Sequence, residues 1–191
     1  MLQKNTHSTT SATSRNARLF LLCSAMAFLL QACPPGFRYY VPTDAQDRKS
    51  QQIDFNVGRV FSFRRTACVA FRLTNWSQAA VSIPRSVMLL QVGSDKRSPM
   101  TLEQASQTAA FQRSIRDYYG KSGGRSAEEM AKVLYAPDSI SLDPKVAQTR
   151  MLCYSLQDLE EPASFIIQGL EVNNKPVDMK PFLFRELKRP S

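Results

Sequence analysis

Residues 53–75 constrain the fold most, because their apolar positions recur with a period of two. Ile53-Asp54-Phe55-Asn56-Val57 alternates apolar and polar side chains, the pattern of a strand with one buried face. Gly58 interrupts it and Val60-Phe61-Ser62-Phe63 resumes, so the segment reads as one bulged strand or as a hairpin. Within residues 67–75, Val69, Phe71 and Leu73 share one face, while Arg72 and Thr74 share the other. Cys68 falls with the second set, which places it off the main core face unless a bulge intervenes. Asn75-Trp76-Ser77-Gln78 is turn chemistry. Further strands are expected at 80–83, where Pro84 marks a kink or an edge, and at 87–92, closed by a turn at 93–96. Others follow at 150–156, 165–167, 170–172 and 182–184.

From about residue 100 the period lengthens. Thr101-Leu102-Glu103-Gln104 and Ser126-Ala127-Glu128-Glu129 both fit capping boxes. Ala105, Ala109, Phe111, Ile115 and Tyr118 then recur at near-helical spacing up to Gly120, a natural helix stop. Met130, Val133 and Leu134 follow the second box, and Pro137 ends that helix. Seven or eight short strands without βαβ alternation predict a mainly β fold, an antiparallel β-sandwich with a two-helix insertion at about 101–136. In strand number and cysteine pair, residues 53–187 are generically similar to immunoglobulin-like or transthyretin-like sandwiches. Trp76, only eight residues after Cys68, departs from the immunoglobulin pattern.

The N-terminal segment carries a different kind of signal. Residues 1–18 are polar, with Lys4, Arg15 and Arg18 and no acid. Residues 19–30 are uniformly apolar or small, shorter than the roughly 20 residues a spanning helix needs. Together they have the layout of a secretory signal. The run closes on Leu30-Gln31-Ala32-Cys33, the arrangement of a lipobox, and over its first 33 residues the chain resembles the bacterial lipoproteins. The resemblance implies cleavage between Ala32 and Cys33 and acyl chains on Cys33; the plainer readings are an uncleaved short anchor or an ordinary cleaved signal. One acyl chain binds a bilayer only marginally, so several make attachment permanent. The resemblance also implies a domain held outside the cytoplasm. The outer membrane is favoured because Pro34 is not the aspartate that biases such proteins toward the inner one. Residues 33–52, with Pro34, Pro35, Gly36 and Pro42, read as a flexible tether of roughly 20–25 Å, leaving 53–191 as the folded domain. Phe37, Tyr39 and Tyr40 either sit at the lipid interface or pack on that domain.

Removing residues 1–32 takes away three of the 25 basic residues, no acid, and the single histidine, His7. A chain without histidine cannot build a Ser-His-Asp triad, a Cys-His pair or an imidazole zinc site. A binding module rather than an enzyme is therefore expected; the alternative is a carboxylate-dependent enzyme acting on envelope polysaccharide. No cofactor and no metal site is read, and Gly123-Gly124 lacks the flanks of a phosphate-binding loop. Cys23 would leave with the signal and Cys33 would be acylated. Cys68 and Cys153 remain, to be joined as one disulfide in an oxidising compartment or left as two buried thiols.

Basic residues cluster twice. Residues 96–125 carry six against two acids, and the tail from Lys175 carries five against two. Arg113, Arg116, Lys121 and Arg125 are the candidate contacts to an anionic surface. The expected partners are the membrane through its anchor, an envelope protein, and anionic lipid or lipopolysaccharide, with no nucleic acid. The expected role is a structural or adaptor lipoprotein of a bacterial envelope, facing the periplasm.

Overall fold

The computed structural model of the chain describes residues 36–43, 47–49, 52–119, 126–156, 164–172 and 174–187. The leader 1–32, Cys33, Lys121 and Arg125 lie outside the described residues.

Phe37 onward forms one compact unit. Its strands are β1 (Arg38–Pro42), β2 (Asp47–Lys49), β3 (Ile53–Phe63), β4 (Thr66–Asn75), β5 (Val81–Pro84), β6 (Met88–Val92) and β7 (Asp95–Arg97). Three helices follow, α1 (Leu102–Ser106), α2 (Ala109–Tyr119) and α3 (Ala127–Leu134). The chain then returns to strands: β8 (Ser139–Leu142), β9 (Ala147–Ser155), β10 (Ser164–Ile167), β11 (Leu170–Val172), β12 (Lys175–Val177) and β13 (Phe182–Glu186).

The fold is mainly β, and every strand pairing in it is antiparallel. Nine strands belong to one sheet, in the order β7-β6-β10-β13-β1-β3-β4-β9 with β2 added beside β3. Ribbons β5-β8 and β11-β12 complete the set. The expected sandwich of two sheets is thus replaced by a single sheet that curls on itself. Strands β4 and β10 are four steps apart, about 19 Å in a flat sheet, yet the rings of Phe71 and Phe165 have centroids 5.8 Å apart. Tyr154 on β9 donates its hydroxyl to the Met88 carbonyl on β6, 3.2 Å away, across six strand steps. The chain leaving β7 closes the wall: Pro99 bridges Tyr154, and Met100 N donates to Cys153 O at 2.7 Å. The free edge of β9 is further covered by Ala136, whose N–H donates to Met151 O. At the opposite edge β7 is short and charged, a defence against pairing with other chains.

Inside the curl lies an aromatic core. Phe165 touches Phe71, Tyr154 and Phe182, and Phe55 stacks on Phe71. The break at Gly58 is a bulge within one strand: Val57 pairs with Phe71 but Val60 with Val69, so β3 has one extra residue. Ile53, Phe55 and Val57 point inward before it, and Val60 after it, while Phe61 is turned to the outer face. A Cβ on Gly58 would lie 3.3 Å from the Ala70 carbonyl, tighter than most side-chain contacts.

Both capping boxes form, with Gln104 N donating to Thr101 Oγ1 and Glu129 N to Ser126 Oγ, and both are reciprocated. The insertion holds three helices rather than two. Thr108 breaks the first and caps the next, its Oγ1 accepting from Phe111 N at 3.3 Å. Helix α2 packs over β3 and β4. This resolves the position of Cys68. No bulge interrupts β4; its outer face is itself buried under the helices, and Cys68 and Cys153 lie directly opposite one another there as a disulfide.

The tether reading of 33–52 needs correction. Arg38–Pro42 is strand β1, hydrogen-bonded between β3 and β13, and Asp47–Lys49 pairs with β3. Tyr40 reaches the core with 2% exposure, and Tyr39 packs edge-on against Phe61 at 5.2 Å. These aromatic side chains pack on the domain. A strand lodged between two others needs neither long apolar runs nor turn signals, so its short mixed sequence looks like linker.

Candidate functional site

The β3–β4 hairpin turns through Arg64-Arg65, a two-residue loop whose first member has φ 52°. Left-handed backbone at a non-glycine residue is uncommon, and here it leaves both arginines exposed at the tip. Arg64 lies over the ring of Phe63, 5.3 Å from its centroid. Phe63 stacks on Phe37, centroids 4.3 Å apart, and Arg113 of α2 lies 5.9 Å from the Phe37 centroid. One run of contacts, Arg64–Phe63–Phe37–Arg113, thus joins a hairpin tip, the residue before β1 and a helix. Cation–π contact holds guanidinium groups against aromatic faces while leaving their outer edges wet.

The same end of the barrel carries the exposed Arg38 at the start of β1, opposite Ser62. Arg113 is the fixed member. Its Nε lies 3.0 Å from the Asp117 carboxylate, and Asp117 also accepts from the Tyr39 hydroxyl at 3.3 Å. The hydrogen bond and charge of Asp117, then Tyr39, raise the Arg113 pKa. A shallow recess of about 460 Å³ separates the hairpin Phe63–Thr66 from the helix junction at 107–109.

Of the four basic residues expected to share a surface, Arg113 lies in this stack, while Arg116 sits in the last turn of α2. Lys121 and Arg125 lie outside the described residues. Sequence reading missed Arg38, Arg64 and Arg65. The pair Arg64-Arg65 between Phe63 and Thr66 was the available signal, since two residues between strands make a hairpin tip.

A second concavity of about 780 Å³ lies between α1, α3 and β9. Its two carboxylates, Glu103 and Asp138, share it with Arg85, Lys132 and Arg150. Asp138 is ion-paired to Arg85, and Arg150 donates to Val133 O and Gln148 Oε1. At the far end of β4, Trp76 is 54% exposed, its indole N–H donating to Asp54. Asn75 beneath it is fully buried and satisfied by Ser77, Ala79 and Leu142, so hydrogen bonds tie down the turn that presents the indole.

Among the described residues no helix is long and apolar enough to cross a membrane, and no three His, Cys, Asp or Glu side chains are grouped to hold a metal ion. The chain matches no protein-family model, no curated protein and no solved structure.

Proposed function

We propose that this protein is a lipoprotein of a bacterial cell envelope, acylated on Cys33 after removal of residues 1–32, that acts as an adaptor on a membrane surface. The observation that carries the reading is the lipobox Leu30-Gln31-Ala32-Cys33 placed just ahead of a folded domain whose first strand begins at Arg38. The proposed location is the outer membrane, facing the periplasm. The disulfide supports export, since such bonds persist in oxidising compartments. The exposed Trp76 supports a binding role, because aromatic anchors dominate protein interfaces.

The test is to express the full chain beside Cys33→Ala in a diderm bacterium, then fractionate the membranes and weigh the mature N-terminus. The reading expects an acylated Cys33 in the outer-membrane fraction and loss of processing in the variant. An unmodified, soluble chain would overturn it.

A further inference from the structure

We infer that the barrel stands on its anchor-side end, with Arg38, Arg64 and Arg65 in the headgroup layer of an anionic phospholipid membrane. The inference rests on the acylation of Cys33 proposed above, and two observations carry it further. The first is reach. Five residue steps separate Cys33 from Arg38, and an extended chain covers at most about 3.6 Å per step, so β1 begins within about 18 Å of the acylated residue. The headgroup layer occupies about 5–8 Å of that distance. What remains is at most about 10–13 Å, between one and two Debye lengths of about 8 Å at physiological salt, so charges at the start of β1 feel a screened but appreciable part of the surface field. A free coil of twenty residues would not impose this.

The second observation is the chemistry of the end so placed. Arg38, Arg64 and Arg65 are exposed there, and Phe37 and Phe63 are half-buried between Arg64 and Arg113. Among the described residues of α2 and β13, the acids are Asp117, engaged by Arg113, and the half-buried Glu186 at the end of β13. Cations backed by half-buried rings suit a headgroup layer, where phosphates meet the guanidinium edges and amphipathic rings settle at the boundary. The opposite end of β4 lies about 30 Å further along the strand, which lifts Trp76 clear of the bilayer.

The competing posture lays the barrel on its side, on the exposed Leu183 of β13. Three single-cysteine labels on the acylated, detergent-purified protein separate the two: Gln107→Cys beside the hairpin, Leu183→Cys on the side wall and Gln78→Cys near Trp76. Each is reconstituted into vesicles of phosphatidylcholine with 30% phosphatidylglycerol carrying a headgroup quencher, and each sample is weighed first to confirm acylated Cys33. The expected result is strong quenching at residue 107 and little at 183 or 78. Each basic residue near a charged membrane contributes about a fivefold bias, so Arg64→Gln with Arg65→Gln should lower the contact-to-free ratio about 25-fold. Raising salt to 1 M in the unaltered arginine background should do the same without any change of sequence. Quenching at 183 in place of 107, equal quenching at all three sites, or contact that persists in pure phosphatidylcholine would overturn the inference while leaving the anchor intact. An unacylated Cys33 would overturn both.

Discussion

The wall of the barrel has two halves built from strands of the same period and finished differently. Among the described residues, helices roof one half: α2 packs on β3 and β4, α3 packs on β9, and Tyr39 of β1 bonds Asp117 of α2, whereas β6, β10 and β13 have no comparable helix packing. On the roofed half the outer face holds Phe61, Cys68, Ala70, Met151 and Cys153, all 3% exposed or less. On the bare half it holds Leu183 at 54% and, just beyond the strand, Leu187 at 48%. An outward leucine on the bare half costs little, because much of any protein surface is apolar anyway. An outward phenylalanine on the roofed half is core. Whether a side chain facing away from the barrel interior is surface or core depends on what lies above it.

The sharpest way to break this comparison is to place the same charge on both halves. Phe61→Lys sets an ammonium between the sheet and the roof, and should cost about 4 kcal/mol or more, enough to prevent folding. Leu183→Lys should change stability by less than about 0.5 kcal/mol, read from urea midpoints. Equal losses would mean that the two faces are not distinct. Next in size is the disulfide beneath the roof, which closes a span of 85 residues and contributes about 4 kcal/mol on the chain-entropy account. Cys68→Ala with Cys153→Ala should lower the urea midpoint accordingly and leave the slope of the transition largely a matter of the unfolded state.

A smaller loss than that of the disulfide tests the interior that both halves share. Tyr154 is fully buried, and its hydroxyl joins β9 to β6. Tyr154→Phe should cost about 1 kcal/mol at pH 7. Burial first, and the neighbouring Tyr135 second, hold the Tyr154 pKa well above 10. Above about pH 10 the unfolded tyrosine ionises while the folded one stays neutral, so the folded state binds more protons and stability falls as pH rises. The phenylalanine variant lacks this loss, and the gap between the two proteins should narrow from pH 10 upward in alkaline unfolding curves. A constant gap would show that Tyr154 reaches water.

Much of the roofed half was legible before its coordinates. The continuous apolar run Ala67-Cys68-Val69-Ala70-Phe71 differs from the strict alternation of Ile53–Val57, and such runs mark strands buried on both faces. Read by alternation alone, it left Cys68 on a polar face. The bulge at Gly58 was one of two stated options, and register settled it. The candidate site was less legible. Arg64 and Phe37 are 27 positions apart, and Arg113 is far from both. Nothing in their spacing announces a shared stack.

The sequence alone determined what short-range physics controls: period-two strands, two capping boxes satisfied three residues away, and a glycine where the backbone bulges. It also limited the disulfide to one pairing once residues 1–33 were set aside. The tertiary structure decided which strands are roofed, that one sheet curls until β9 meets the chain after β7, and that a segment resembling linker is an inner strand. Those outcomes depend on partners tens of residues distant. A side chain's burial, and with it the meaning of its chemistry, is a property of the neighbours that folding brings to it.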